Sequence, residues 1–295
     1  MRLSVILLLL ALGCAHDRAV IESWPMPAMS PEVRGPREAA LAVAREAYEA
    51  RPDDADALIW VGRRLGYLGR YREAIDVFSQ GVRKHPRDAR MLRHRGHRWI
   101  TLRDFDRAIR DLERAATLER GRPDQIEPDG LPNARNTPTS TLQSNIWYHL
   151  GLAYFVKGDF EPALRAYRAC MEVSKNPDGL VSGTHWLYMT LRRLGRDAEA
   201  QQALVPIHRD LDVIENASYH RLLLMDAGRL TPEELLRESP SAIDGATQHF
   251  GVAHWYLANG EHDRARELLE KVIAGGQWAS FGYIAAEAEL RRSTR

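Results

Sequence analysis

Along this chain the apolar residues recur three and four positions apart, the spacing of one helix face, and small residues interrupt each run at fixed places. The clearest run is Trp147, Leu150, Gly151, Tyr154, Gly158, Phe160, Ala163 and Tyr167. Leu58, Val61, Gly62, Leu65, Gly69, Tyr71, Ala74, Phe78 and Pro86 repeat it position for position. A third copy, Leu92, Gly96, Trp99, Phe105, Ala108, Leu112 and Ala115, follows at an interval of 34 residues. Each copy predicts two helices joined by a tight reversal. Leu58, Val61, Gly62 and Leu65 share a face of the first helix, and Gly62 lets a second helix approach closely there. Ala74 is the matching small residue on that second helix. Gly69 sits where the chain must reverse, Pro86 where the second helix must end. A lone hairpin of this kind cannot bury its apolar face, so neighbouring hairpins must stack.

The spacing resembles the tetratricopeptide repeat (TPR), which implies an all-α superhelix of about six helical hairpins closed by a C-terminal capping helix. The first positions of the units fall at Ala55, Ala89, Ser144, Val181, Ile214 and Ala246, giving repeats over 55–88, 89–122, 144–177, 181–213, 214–245 and 246–279. The fifth unit admits two registers, with Pro232 opening its second helix. The step from Ala89 to Ser144 exceeds one period, and the surplus at 121–143 holds Pro123, Pro128, Pro132 and Pro138, so a loop is expected between units. The Ala-rich run from Arg37 reads as a lone second helix that caps the start of an array spanning 37–292. The amphipathic segment 280–292 reads as a solubilising cap at its end.

The amino terminus changes the picture from a plain repeat array. Arg2 precedes an apolar run from Leu3 to Leu12, too short to span a bilayer as a helix but suited to an export signal over 1–13. Leu10-Ala11-Leu12-Gly13-Cys14 resembles a bacterial lipobox, which implies cleavage before Cys14 and lipid on it. Ala11 and Leu12 depart from the usual order of a leucine followed by a small residue. The stretch 14–36, with Pro25, Pro27, Pro31 and Pro36, reads as an extended tether. Ala15 follows the cysteine where some bacteria place a retention aspartate, so a lipid-anchored protein facing the periplasm, at the outer membrane, is expected.

Composition narrows the chemistry. Among 295 residues, 44% are hydrophobic and 27% charged, with a formal net charge of +1. The arginines alternate with acids, as in Arg103-Asp104-Phe105-Asp106-Arg107, a solvated face that gives no support for nucleic-acid binding. Arg103, on a turn, is expected to be replaceable at little cost. Past the signal only Cys170 remains, at a position where the repeat buries a small residue, so it reads as a core cysteine. No phosphate loop, nucleophile elbow or zinc spacing is present, and no cofactor is implied.

The resemblance also implies where a partner would bind. Positions 2, 5, 9 and 12 of each first helix line the concave side in this family. Arg63, Arg90, Arg93 and His97 would form a basic stretch there, and Tyr148, Leu152 and Phe155 an aromatic one. His185, Met189 and Arg192 continue it. Such a groove suits a protein or peptide segment with an acidic end. Ile59 and Arg63 stand where some members hold a carboxylate terminus with lysine and asparagine, so that particular clamp is not implied. The expected function is an envelope scaffold or assembly factor without catalysis. The alternatives are an enzyme or metal site around His97, Tyr148 and His185, where neighbouring arginines oppose a cation, and a self-associating element at the membrane surface.

Overall fold

The computed structural model describes residues 26–237 and 241–293. The export signal, Cys14 and most of the tether therefore lie outside the described residues. Those residues hold fourteen α-helices and no strands. A lone second helix, α1 (Pro31–Ala50), precedes the first hairpin, α2 (Ala55–Tyr67) and α3 (Tyr71–Lys84), and the second, α4 (Ala89–Thr101) and α5 (Phe105–Glu119). After the insertion come α6 (Leu142–Lys157) with α7 (Phe160–Val173), α8 (Pro177–Arg193) with α9 (Asp197–Ala203), and α10 (Ala217–Asp226) with α11 (Pro232–Leu236). The last hairpin, α12 (Ala242–Ala258) with α13 (His262–Ala274), is followed by α14 (Phe281–Ser293). Successive helices pack antiparallel in an αα superhelix, with the first helices inside and the second helices outside.

The repeat pattern acts through one recurrent contact. A Cβ on Gly62 would lie 2.5 Å from the Phe78 ring, one on Gly96 2.7 Å from Leu112, and one on Gly151 2.6 Å from Tyr167. Each pair joins the two helices of one hairpin, so the glycine is the seat of its partner's large side chain. Helix starts are fixed by local capping. Asp54 accepts from the amides of Asp56 and Ala57, Asp88 from that of Arg90, and Thr141 and Ser144 cap each other's backbone. Thr231 and Glu234 do the same for α11, with Pro232 at the first turn, as the sequence leads one to expect.

Three departures from the sequence reading matter. Helix α1 starts at Pro31, six residues before the expected start of the array at Arg37. Pro31 occupies the helix start, where no amide is needed, and Pro36 forfeits one backbone bond near that end. In the second repeat the reversal is made by Arg103 at φ 64°, where the other hairpins place glycines such as Gly69 (75°) and Gly158 (95°). And α14 does more than cap. It packs on α12 and α13 and also lies along α6, inside the superhelix.

The third departure explains the second. Arg103 Nε is 2.8 Å from Glu287 of α14, its Nη2 donates to the Trp278 carbonyl at 2.7 Å, and its side chain is 8% exposed. A residue expected to be a dispensable turn arginine is thus a tie between chain segments 184 residues apart. Arg103→Ala is expected to cost about 2 kcal/mol or more, because Glu287 keeps, among the described residues, only Arg291 at 3.4 Å and the buried bond to the Trp278 carbonyl is lost. Arg103→Gly, which accepts the positive φ, is expected to recover about 0.5–1 kcal/mol of that. Urea unfolding of the two variants against wild type measures both quantities.

Candidate binding channel on the concave face

The inner face is where a repeat array meets its ligands, and here much of it is closed. Phe155 of α6 packs edge-on against Trp186 of α8 at 5.3 Å, and Trp186 stacks on Phe250 of α12 at 5.9 Å. The inner helices α6, α8 and α12 therefore touch one another across the superhelix. Phe281 of α14 lies 5.2 Å from the His97 ring and 6.2 Å from that of Tyr148. The outer helices of the fourth and fifth repeats are short, α9 and α11, so the inner layer carries most of the packing there.

This closure decides where each expected groove residue stands. Leu152, Phe155, His185 and Met189 are buried, not exposed on a groove, because α8, α12 and α14 pack over them. Tyr148 donates to or accepts from Tyr219 at 3.1 Å and accepts from Trp186 Nε1 at 2.9 Å, so its hydroxyl is committed internally. Arg192 lies beside Asp197 at 2.8 Å and donates to the Ala258 carbonyl at 3.0 Å, which ties α8 to the end of α12. Arg90 is paired with Asp88 and Asp56. The first two repeats keep half-exposed residues on the inner face, among them Trp60, Arg63 and Arg90.

That face is roofed by the insertion. Irregular apart from a bridge between Ile126 and Thr141, it places Glu127 3.1 Å from Arg93 Nε and 3.5 Å from His94. The Gly130 carbonyl accepts from Arg64 at 2.9 Å. The insertion therefore crosses the edge of the groove. Beneath and beside it three cavities run on from one another. The first, about 280 Å³, is bordered by Asp56, Trp60, Arg63, Arg90, Ile126 and Glu127. The second, about 140 Å³, shares Arg63 and Glu127 with it and adds Arg93, His97 and Arg98. The third, about 330 Å³, continues from Arg93 and His97 to Asn145, Tyr148, His149 and Tyr219.

The electrostatics of this channel are set by burial. Burial pushes the imidazoles of His94, His97 and His149 well below their usual range, with Arg93 and Arg98 pushing the same way. These histidines are neutral at ordinary pH, and the rings of His97 and His149 pack 4.3 Å apart. Among the described residues no group of three or more His, Cys, Asp or Glu is placed to hold a metal ion. His97 and Tyr148 do share a cavity, whereas His185 stands apart from it, stacked on Tyr219 at 4.9 Å. Cys170 is buried, and desolvation pushes its thiol up to about 11, which makes it an inert core residue. Arg98, His149, Glu127 and Phe281 escaped the sequence reading. The aromatic density of Trp278, Phe281 and Tyr283 was the available signal, since a purely solubilising cap has no use for three rings.

Comparison with known proteins agrees with the geometry. Two stretches match tetratricopeptide-repeat models, residues 61–125 and 144–177, so the chain carries tetratricopeptide repeats. A tetratricopeptide repeat protein from Parabacteroides merdae superposes with a TM-score of 0.52 at 16% identity, over 85% of this chain and 93% of that one. YrrB, described as a TPR protein with an unusual peptide-binding site, gives a TM-score of 0.46 at 15% identity, over 85% and 99% of the two chains. In sequence, the BBSome complex member BBS4 of Bos taurus is 26% identical over 140 residues. That match covers 48% of this chain, and the chain spans 23% of the length of that relative. The matched repeats and the superposition on the Parabacteroides merdae protein establish the fold, a TPR solenoid.

Proposed function

We propose that this protein is an interaction scaffold of a bacterial cell envelope, held to a membrane by lipid on Cys14 and binding an acidic, partly apolar segment of a partner protein. The segment enters the inner face of the first two repeats, beneath the insertion. One observation carries the reading: the inner face of these two repeats combines cations with aromatic and apolar surface. Arg63 lies over the Trp60 ring at 4.5 Å, and Ile126 of the insertion stands 67% exposed beside them. Guanidinium forks suit carboxylates, and an exposed aliphatic chain beside an indole suits an apolar neighbour of the acid. Relative to the sequence reading, the apolar half of the surface moves from Tyr148, Leu152 and Phe155 to Trp60 and Ile126.

Arg63→Glu tests the charge. It is half-buried at the rim and has no carboxylate to lose, so the variant is expected to fold while weakening a crosslinked partner's binding at least tenfold. The wild-type complex is expected to weaken with rising salt in the same sense. Unchanged affinity in both measurements contradicts the reading. The anchor is tested separately. Labelled palmitate is expected to enter wild type and not Cys14→Ala, and equal labelling of the two rules the lipid out.

A further inference from the structure

The middle of the three cavities holds a charge imbalance that the fold leaves unanswered. Three guanidiniums border it, those of Arg63, Arg93 and Arg98, against the single carboxylate of Glu127. Glu127 is engaged by Arg93 and His94. Arg63 meets the Tyr67 hydroxyl at 3.1 Å and the face of Trp60. The Arg98 guanidinium lies over the Tyr71 ring at 5.3 Å and, among the described residues, meets neither a carboxylate nor a hydrogen-bond acceptor. Buried cations of one sign repel, and a guanidinium does not shed its proton to escape.

We propose that this cavity is a binding site for a small oxyanion, a phosphate or a carboxylate, gripped by Arg63, Arg93 and Arg98 with His97 as a neutral hydrogen-bonding neighbour. It names the chemistry of the basic end of the channel and so rests on the same surface as the scaffold reading, yet it can be tested with no partner present.

Size and shape fit. The cavity of about 140 Å³ is several times the ~30 Å³ that a water occupies in the liquid, enough for a tetrahedral or planar oxyanion with a water beside it. Gly66 makes the room: a Cβ there would sit 3.2 Å from Arg98 Nη1, so glycine lets the guanidinium lie against the α2 backbone. Arg63, Tyr67, His97 and Arg98, all half-buried, border the cavity, so it is open to solvent. Burial draws the Arg98 guanidinium down to about 10, with Arg93 and Arg63 acting in the same direction, and an anion among the three reverses that repulsion.

The experiment titrates the full chain, purified in detergent, with inorganic phosphate and separately with glutarate, at ionic strength held constant with chloride. Saturable binding of one or both to wild type is expected, with a rise in the unfolding midpoint. Arg98→Gln is expected to lose at least tenfold in affinity, while Arg110→Gln, exposed on α5, binds as wild type does. Should Arg98→Gln not fold, Arg63→Gln at the rim carries the same expectation. Tighter binding of phosphate assigns the site to a free phosphate-type ion, and tighter binding of glutarate to the carboxylate of a protein segment. No saturable binding of either probe, or equal binding by wild type and the arginine variants, overturns the proposal. Oxyanion binding without any captured partner would leave this site standing and count against the scaffold reading alone.

Discussion

Gly151→Leu is expected to destabilise the protein by at least about 3 kcal/mol and to lower its yield as folded material. The Cβ alone would lie 2.6 Å from the Tyr167 ring, and the remaining three carbons have nowhere to go. Tyr167 cannot withdraw, because it is fully buried and stacked near Trp186 at 6.4 Å, which is itself stacked on Phe250. Displacing the ring therefore disturbs α6, α7, α8 and α12 together. Overpacking of an ordinary core site costs about 1–3 kcal/mol, and a site that couples four helices stands at or above the top of that range. Gly35→Leu is the matched control, since nothing lies within 4 Å of the Cβ position there. Equal unfolding midpoints for the two variants would show that the hairpin contact is wrongly assigned.

Acidification is expected to have an effect of similar size. His185 and His254 are each 1% exposed, and burial pushes both imidazoles down to about 3. Neither nitrogen of His185 has a hydrogen-bond partner, and Nε2 of His254 lacks one too. An unfolded histidine titrates near 6.5, so below that pH the unfolded chain takes up protons that the folded chain refuses. The stability these neutral rings contribute is complete above pH 6.5 and is lost as the pH falls toward 3. Each ring costs about 1.4 kcal/mol per pH unit in that window, or about 4 kcal/mol for the pair between pH 6.5 and 5. His94, His97 and His149 act in the same direction. Asp226, whose carboxyl burial pushes up, acts against them. Urea unfolding at pH 7 and pH 5 measures the slope, and His185→Phe, which keeps a ring against Tyr219, is expected to flatten it by about one histidine's share. Parallel slopes for wild type and this variant would refute the assignment.

The hairpins were legible because their determinants are local. Gly62 with Phe78, Gly96 with Leu112 and Gly151 with Tyr167 recur at one spacing, and each pair lies within a single unit. The same holds for the insertion, whose prolines exclude a regular helix, and for Pro232 at the start of α11. The site was legible only in part. Helix geometry puts Arg93, Tyr148, Leu152 and His185 on one face of their first helices, but whether that face meets solvent depends on what returns to cover it. Phe281 and Glu287 reach His97 and Arg103 from the far end of the chain, and Glu127 reaches Arg93 from the insertion. No period in the sequence encodes contacts of that range, which arise from the superhelix closing on itself. Arg103 shows the consequence: read alone it is a turn residue on a charged face, and only α14 makes it a buried tie.

The central claim is that a partner docks on the inner face of the first two repeats, and site-specific photocrosslinking in intact cells tests it most directly. Benzoylphenylalanine in place of Trp60 borders the channel, whereas in place of Trp147 it borders the outer groove between α5, α6 and α7. The account predicts a discrete crosslinked protein from position 60, diminished by Arg63→Glu, and none from position 147. The same product from position 147 alone, with nothing from position 60, would place the partner on the outer surface and contradict it.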